Sequence, residues 1–89
     1  MIDSAAEQAF AIHLYRAGRT REAEAVLWRI LAMDSTKGEA WLWLGGIALD
    51  DNRPRLAARC FARLMLLDPG RAAAMHNLGE ALRLWGRRG

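Results

Sequence analysis

The chain repeats itself at an interval of 34 residues, and this period limits the possible folds more than any other feature of the sequence. Identical residues recur at that interval along the chain: Ala6, Ala40 and Ala74; Arg19, Arg53 and Arg87; Ala23 and Ala57; Arg29 and Arg63; Asp34 and Asp68; and Leu44-Gly45 with Leu78-Gly79. Positions that differ often keep their chemical class. Such a period is typical of repeat proteins, in which each unit buries its apolar face against its neighbours.

Within each unit the apolar residues are spaced three and four apart, which predicts two amphipathic helices and no strand. The first helix is expected to open with the capping box that runs from Ser4 to Glu7, and to stop near Gly18. Thr20 is expected to cap a second helix that ends at about Met33.

The second unit carries its own helix signals. Pro54 suits the first turn of a helix, where its missing N–H costs nothing, and the sequence DPG at 68–70 ends that helix. A fifth helix is expected to end near Trp85. The 89 residues therefore predict one small domain, divided into repeat 1 at about 4–37, repeat 2 at about 38–71, a half repeat at 72–86 and a basic tail at 87–89.

The residues at the repeated positions resemble those of tetratricopeptide repeat proteins. The second unit matches the family pattern of W, LG, A, F and DP with the family's spacing, at Trp41, Leu44-Gly45, Ala57, Phe61 and Asp68-Pro69. Partial matches in the other units are Gly18, Ala23, Leu27 and Asp34, then Asn77-Leu78-Gly79 and Gly86. Three positions depart from the pattern: Glu7 replaces the Trp, Ser35 the Pro and Pro54 an aromatic residue.

This resemblance implies an all-α fold, in which antiparallel helix-turn-helix repeats stack as a short right-handed α-solenoid of five helices. It also implies that Gly45 and Gly79, with Ala23 and Ala57, let paired helices approach closely, and that Trp41 fills the space beside that contact.

In this family the first helices of the repeats line a concave groove that binds proteins or peptides. The positions implied here are Ala5, Gln8, Ile12 and Tyr15; Glu39, Leu42, Gly46 and Leu49; and Ala73, His76, Glu80 and Arg83, with Trp43 at the groove's edge. Helical spacing independently places Leu42, Gly46 and Leu49 on one face. The centre of this surface is apolar, with an open spot at Gly46.

The family's carboxylate clamp, which holds the C-terminal tails of heat-shock chaperones, is absent. The positions of its Lys, Asn and Arg residues are occupied in this chain by Gln8, Ile12, Trp43, Ala73 and Asn77. Cationic donors for a terminal carboxylate are therefore missing. An apolar groove instead suits a hydrophobic linear segment of a partner. The small helical-repeat chaperones of type III secretion translocators, a bacterial family, are similar in architecture, which suggests an adaptor or secretion-chaperone role.

Two other surfaces offer alternatives. The fifth helix has no partner helix after it, so its edge, with Leu78, Leu82, Leu84 and Trp85, predicts self-association or a partner. The stripe of Arg55, Arg59 and Arg63 could attract an acidic partner, because the net charge is +3. Nucleic acid is not expected as a partner, because the arginines lack interleaved exposed aromatic residues.

The sequence gives no sign of catalysis. His13 and His76 stand on different helices, and no nucleophile, phosphate-binding or metal motif accompanies them, so we expect neither an enzyme nor a cofactor or metal. Cys60 is expected to be a small buried residue. The start MIDSAAEQ has no signal-peptide character and the longest apolar run, at 40–49, is too short for a membrane span, which predicts a cytoplasmic protein.

Overall fold

The structure, a computed structural model, describes residues 4–88. It contains the helices α1 (Ser4–Arg16), α2 (Thr20–Met33), α3 (Gly38–Asp50), α4 (Pro54–Leu67) and α5 (Ala72–Arg88). No strand occurs between residues 4 and 88, and the all-α fold with five helices is confirmed. Gly89, the last residue of the expected basic tail, lies outside the described residues, as do residues 1–3.

Each helix packs mainly against the helix before it and the helix after it. Turns of three or four residues reverse the chain between helices, so α1 pairs with α2 and α3 with α4, and α5 lies against α4. The two pairs meet where α2 contacts α3. The result is a short all-α repeat solenoid, with α1, α3 and α5 in one layer and α2 and α4 in the other.

The first helix of each full repeat ends in the same way. Gly18 has φ +82°, and Asn52, 34 residues later, has φ 56°. At both ends the next residue donates its backbone N–H to a carbonyl five residues earlier: Arg19 to Leu14 and Arg53 to Ala48, each at 2.8 Å. This is the Schellman arrangement, and it confirms the helix stop predicted at Gly18.

The predicted helix starts are only partly correct. Pro54 occupies the first turn of α4, as expected. Thr20 does not cap α2: it is the first helical residue, Arg19 holds the cap position and no side chain donates or accepts a capping hydrogen bond there. Ser4 is likewise already helical, and the Glu7 carboxylate accepts a hydrogen bond from Arg29 instead, at 2.5 Å.

The turn between α2 and α3 is held by side chains where the family pattern has proline. The Asp34 carboxylate accepts hydrogen bonds from the hydroxyl and the backbone N–H of Thr36, at 2.5 and 3.0 Å, which lower the pKa of Asp34. The indole N–H of Trp41 donates to the Ser35 carbonyl at 2.8 Å. Trp41 therefore fixes this turn as well as filling the core.

The fifth helix continues beyond its expected end. α5 runs to Arg88, so Trp85, Gly86 and the first part of the expected basic tail are helical. Gly86 lies 34 residues after Asn52, at the position where α1 and α3 stop. Those two helices stop where the next helix folds back on them, and between residues 4 and 88 no helix follows α5.

The core has two connected parts. The larger one joins the two repeats and centres on Leu14, Leu27, Trp41, Leu44 and Leu64. The smaller one surrounds Phe61 between α3, α4 and α5, with Ala48, Ala57 and Ala81.

The close approach predicted at Gly45 is present. A Cβ atom at Gly45 would lie 2.7 Å from the Phe61 ring, so only glycine fits there. The equivalent position, Gly79, has open space around it, because no later helix among residues 4–88 packs on α5.

One pair of equivalent positions explains how the first repeat tolerates Glu7. In the second repeat the Arg63 guanidinium lies 5.7 Å from the ring centre of Trp41. In the first repeat Arg29 and Glu7 occupy the same two positions and form an ion pair at 2.5 Å. The contact between the two helices is kept, with an ion pair in place of a cation–π contact.

Candidate functional site

A groove lies on the layer of first helices, between α1, α3 and α5. Its central cavity has a volume of about 410 Å³ and is lined by Tyr15, Leu42, Trp43, Gly46, Ile47, Leu49, Asp50, Ala73 and Asn77. We call this the first-helix groove. Leu42, Gly46 and Leu49 meet there because residues three and four apart share one face of α3.

The end of the groove beside α1 is aromatic. The rings of Tyr15 and Trp43 meet edge to face, with their centres 6.2 Å apart and an angle of 68° between their planes. The Tyr15 hydroxyl donates a hydrogen bond to the Asp50 carboxylate, and this bond, together with burial, raises the pKa of Tyr15. The hydrogen bond fixes the position of the Tyr15 side chain over the cavity.

The floor of the groove is apolar and open at its middle. A Cβ atom at Gly46 would meet nothing within 4 Å. Leu42, Trp43 and Leu49 around it are half-buried, so part of their apolar surface faces the cavity. Among the described residues, Asp50 is the sole charged residue that lines the cavity, and no Lys or Arg does. The groove can therefore hold apolar side chains but cannot grip a carboxylate.

The structure brings together six of the predicted groove residues, and others lie away from the cavity. Those that line it are Tyr15, Leu42, Trp43, Gly46, Leu49 and Ala73. Ile12 lies on α1 one turn before Tyr15, and Gln8 lies two turns before it. Glu39 is paired with Arg71 at 2.5 Å, at the start of α3.

Three predicted residues on α5 also lie outside the cavity. His76 is exposed. Glu80 and Arg83 pair with each other, and this contact lowers the pKa of Glu80 and raises that of Arg83. The cavity meets α5 only near its start, at Ala73 and Asn77, because α5 packs chiefly on α4 and has few contacts with α3.

Sequence reasoning missed Ile47 and Asp50 as groove residues. Asp50 follows Trp43 by seven residues and Gly46 by four, so helical spacing alone could have placed it on the same face.

A second groove runs along α4 on the other layer. One of its two cavities, of about 510 Å³, is lined by Trp28, Trp41, Leu56, Arg59, Cys60, Ala62, Arg63 and Leu66. The adjoining cavity, of about 700 Å³, is lined by Arg53, Pro54, Arg55, Leu56, Arg59 and Trp85. We call them the Trp28 cavity and the Trp85 cavity, and the two together the second-helix groove.

Aromatic residues lie among the arginines of the second-helix groove, contrary to the expectation from the sequence. The Arg55 guanidinium lies 5.8 Å from the ring centre of Trp85, and Arg63 covers Trp41. Trp28 meets Trp41 edge to face, with ring centres 6.1 Å apart. The equivalence of Trp28 with Ala62 gave no hint of this contact, which requires α2 to pack against α3.

The edge of α5 is less open than the sequence suggested. Leu78 is not free, because it packs against the Phe61 cluster under α4. Trp85 is 44% exposed but faces Arg55. The apolar residues that do face outward are Leu82, which is 49% exposed, and Met75, which is 61% exposed.

Cys60 is fully buried beside the Trp28 cavity, and burial raises the pKa of its thiol to about 12. The thiolate is therefore scarce at neutral pH. Among residues 4–88 no group of His, Cys, Asp or Glu is arranged to hold a metal ion. None of the five helices combines the length and the apolar character that crossing a membrane requires.

Two comparisons with known proteins gave different results. A comparison with curated protein sequences found no match, whereas a comparison with protein-family models found one. The family model for the tetratricopeptide repeat matches residues 14–82, which covers most of the chain, the first-helix groove and all of the second-helix groove except Trp85. The matched region includes the Gly45–Phe61 contact and the two equivalent helix ends. On this match and on its five-helix repeat fold, the chain belongs to the tetratricopeptide repeat family.

Proposed function

We propose that the protein is a non-catalytic interaction module that binds a hydrophobic linear segment of a partner protein in the first-helix groove. Tetratricopeptide repeats generally mediate protein–protein interactions. The observation that carries the proposal is the apolar cavity around Gly46, bordered by Leu42, Trp43 and Leu49. An adaptor or a chaperone for a secreted protein would use such a groove in the same way.

The chemistry of the groove limits the segment that fits. About 410 Å³ holds a few apolar side chains, and the open backbone at Gly46 allows one of them to approach closely. Asp50, at the aromatic end, favours a basic residue at the matching end of the segment. A free C-terminal carboxylate is disfavoured there for the same reason.

The groove can be filled without harm to the fold, which gives a direct test. In Gly46→Leu the new side chain meets no neighbour at its Cβ, and the helix gains from the loss of glycine. A random 12-residue peptide library displayed on phage would be selected on the wild-type protein. We expect apolar peptides whose affinity, measured by calorimetry, falls at least tenfold in Gly46→Leu.

The matched control is Gly86→Leu, which makes the same change at another helical glycine with open space around it, outside the groove. It should leave peptide affinity unchanged. Leu42→Glu and Leu49→Glu should abolish binding by placing a charge on the apolar floor. Selected peptides that bind Gly46→Leu as well as they bind the wild type would show that the groove is not the binding site.

Self-association is a second candidate function, favoured by the exposure of Met75 and Leu82 beside the unfilled space at Gly79. This surface is the one on which a further repeat helix would pack. Sedimentation over a concentration series is expected to show a larger species that dissociates in Leu82→Glu and in Met75→Glu. A monomer at every concentration would remove this candidate and leave the groove proposal intact.

A further inference from the structure

The arginines of α4 differ from most other arginines of residues 4–88, because no carboxylate in that range pairs with them. Arg55, Arg59 and Arg63 are spaced four residues apart, and α4 contains no Asp or Glu. Within residues 4–88 none of the three forms an ion pair. By contrast, the arginines that do pair with a carboxylate there are Arg19, Arg21, Arg29, Arg53, Arg71 and Arg83.

Aromatic rings hold two of these arginines in place. Trp85 lies under Arg55 and Trp41 under Arg63, with the guanidinium carbons 5.8 and 5.7 Å from the ring centres. A guanidinium stacked on a ring keeps its N–H groups free at its rim. Arg55, Arg59 and Arg63 therefore form a row of positive charge on one face of α4. The row is about 12 Å long, because a helix rises 1.5 Å per residue.

The Trp28 cavity adds an apolar anchor site to this row. It has a volume of about 510 Å³, and the side chains around its mouth include Trp28, Ala62 and Leu66. Trp28 is 43% exposed and Leu66 is 77% exposed. Large apolar side chains left in water beside a cavity are typical of interaction surfaces.

We propose that the second-helix groove is a second binding site, which takes an acidic segment of a partner protein. One aromatic or branched apolar side chain of that segment enters the Trp28 cavity, and its carboxylates pair with Arg59 and Arg63. In a helical segment, carboxylates four residues apart match the spacing of the arginines. This site is independent of the first-helix groove, which is apolar and has an acidic residue at its end.

A single-stranded nucleic acid fits the same charges less well. Bases bind to such proteins by stacking on open aromatic faces. Here Arg55 covers a face of Trp85 and Arg63 covers Trp41, which is itself largely buried. The Trp28 cavity is lined mostly by apolar side chains and is suited to a protein side chain.

The test is a selection of random 12-residue peptides displayed on phage, with the wild-type protein as bait and Arg59→Gln/Arg63→Gln for counter-selection. We expect acidic peptides that contain an aromatic or branched apolar residue. Their affinity, measured by fluorescence anisotropy, should fall at least tenfold in the counter-selection variant and should weaken as NaCl is raised.

Matched variants separate this site from a general charge effect. Arg16→Gln/Arg87→Gln removes the same charge from exposed positions outside the groove and should change the affinity less than twofold. Ala62→Leu fills the Trp28 cavity without changing charge and should weaken binding at least tenfold. Thermal unfolding followed by circular dichroism checks that each variant is folded, and Gly46→Leu should bind these peptides normally.

Three results would overturn the proposal. One is a selection that yields no acidic peptides dependent on Arg59 and Arg63. Another is an equal loss of affinity in Arg16→Gln/Arg87→Gln, because the binding would then follow net charge alone. The last is a labelled 15-residue oligothymidine that binds the wild type more tightly than the peptides do and displaces them.

Discussion

At the scale of single residues, two adjacent glycines of α3 have different roles. Gly45 faces α4, where the Phe61 ring fills the space in which a side chain would begin. Gly46 faces the first-helix groove and has no neighbour there. One glycine is required by packing, and the other leaves room for a ligand.

This difference predicts opposite effects of the same substitution. Gly45→Ala should lower the free energy of unfolding by about 1–2 kcal/mol, because the clash with the buried Phe61 ring outweighs the gain in helix propensity. Gly46→Ala should raise it by roughly 0.5–1 kcal/mol, because only the propensity changes. Urea unfolding of both variants measures this, and two changes of the same sign would contradict the packing described for α3.

Tyr15 offers a pH-dependent signal from the groove. Its hydrogen bond to Asp50 raises the pKa of the hydroxyl above 10.0, the value for an unperturbed tyrosine. The bond therefore stabilises the fold fully below that pH and is lost as the pH rises through the higher pKa of the folded state.

The chain has a single tyrosine, so absorbance at alkaline pH reports Tyr15 alone. We expect a titration midpoint above that of the unfolded protein. Asp50→Ala should bring the midpoint down towards the ordinary value. An unchanged midpoint in Asp50→Ala would mean that the aromatic end of the groove is not closed by this hydrogen bond.

At the scale of helices, an ion-pair network ties the two repeats together. Glu24 of α2 is only 8% exposed and pairs with Arg21, at 3.1 Å, and with Arg53, just before α4. Asp51 completes the network, with an oxygen 3.1 Å from Arg21 and 2.8 Å from Arg53. The start of α2 is thereby fastened to the turn between α3 and α4.

We predict that Glu24→Ala lowers the free energy of unfolding by about 2 kcal/mol, because Arg21 and Arg53 lose the more buried of their two carboxylate partners and keep only Asp51. Glu22→Ala is the matched control on the same helix. Glu22 pairs with Arg19 at 2.6 Å on the surface, where solvent screens the ion pair and it contributes little to stability. Equal losses in the two variants, measured by urea unfolding, would contradict a structural role for the network.

The sequence predicts the helices far better than it predicts their ends and contacts. The 34-residue period and the positions of Gly45 and Phe61 define the fold, because close packing between paired helices tolerates few residue types. The helix end at Gly18 can be predicted because glycine readily adopts the left-handed backbone conformation. The missing cap at Thr20 depends on how the preceding turn packs, and the order of residues around Thr20 does not specify that packing.

The same reasoning applies to the grooves. Leu42, Gly46 and Leu49 come together because they share a face of one helix, which spacing reveals. The second-helix groove depends on Trp28, Trp41 and Arg63, which come from three helices. Only the relative positions of those helices bring these side chains together.

At the scale of the whole molecule, the five helices of residues 4–88 pack as a compact unit. The radius of gyration is 12.7 Å and the extents are 41 × 29 × 19 Å. A compact domain of this length has a radius of about 12 Å. The helices nevertheless differ in the number of other helices that pack against them. α3 and α4 each lie between two neighbours, whereas α1 packs mainly on α2.

We therefore predict graded protection from hydrogen exchange. Backbone amides of α3 and α4 should exchange most slowly, and those of α1 and of the last turns of α5 most quickly, because a terminal helix can open without disturbing the rest. Exchange followed by NMR measures this residue by residue. Equal protection in all five helices would show that the chain unfolds only as one cooperative unit.

The helix α5 continues through Gly86, although a glycine at this position also suits the end of a helix. The residue is helical here, yet glycine adopts the left-handed conformation of Gly18 and Asn52 at little cost. We predict that a segment docked beside Gly79 ends α5 at Gly86 and reverses the chain there, as the next helix does for α1 and α3. The NMR chemical shifts of Gly86 measure this, and helical shifts that persist in the occupied state would contradict it.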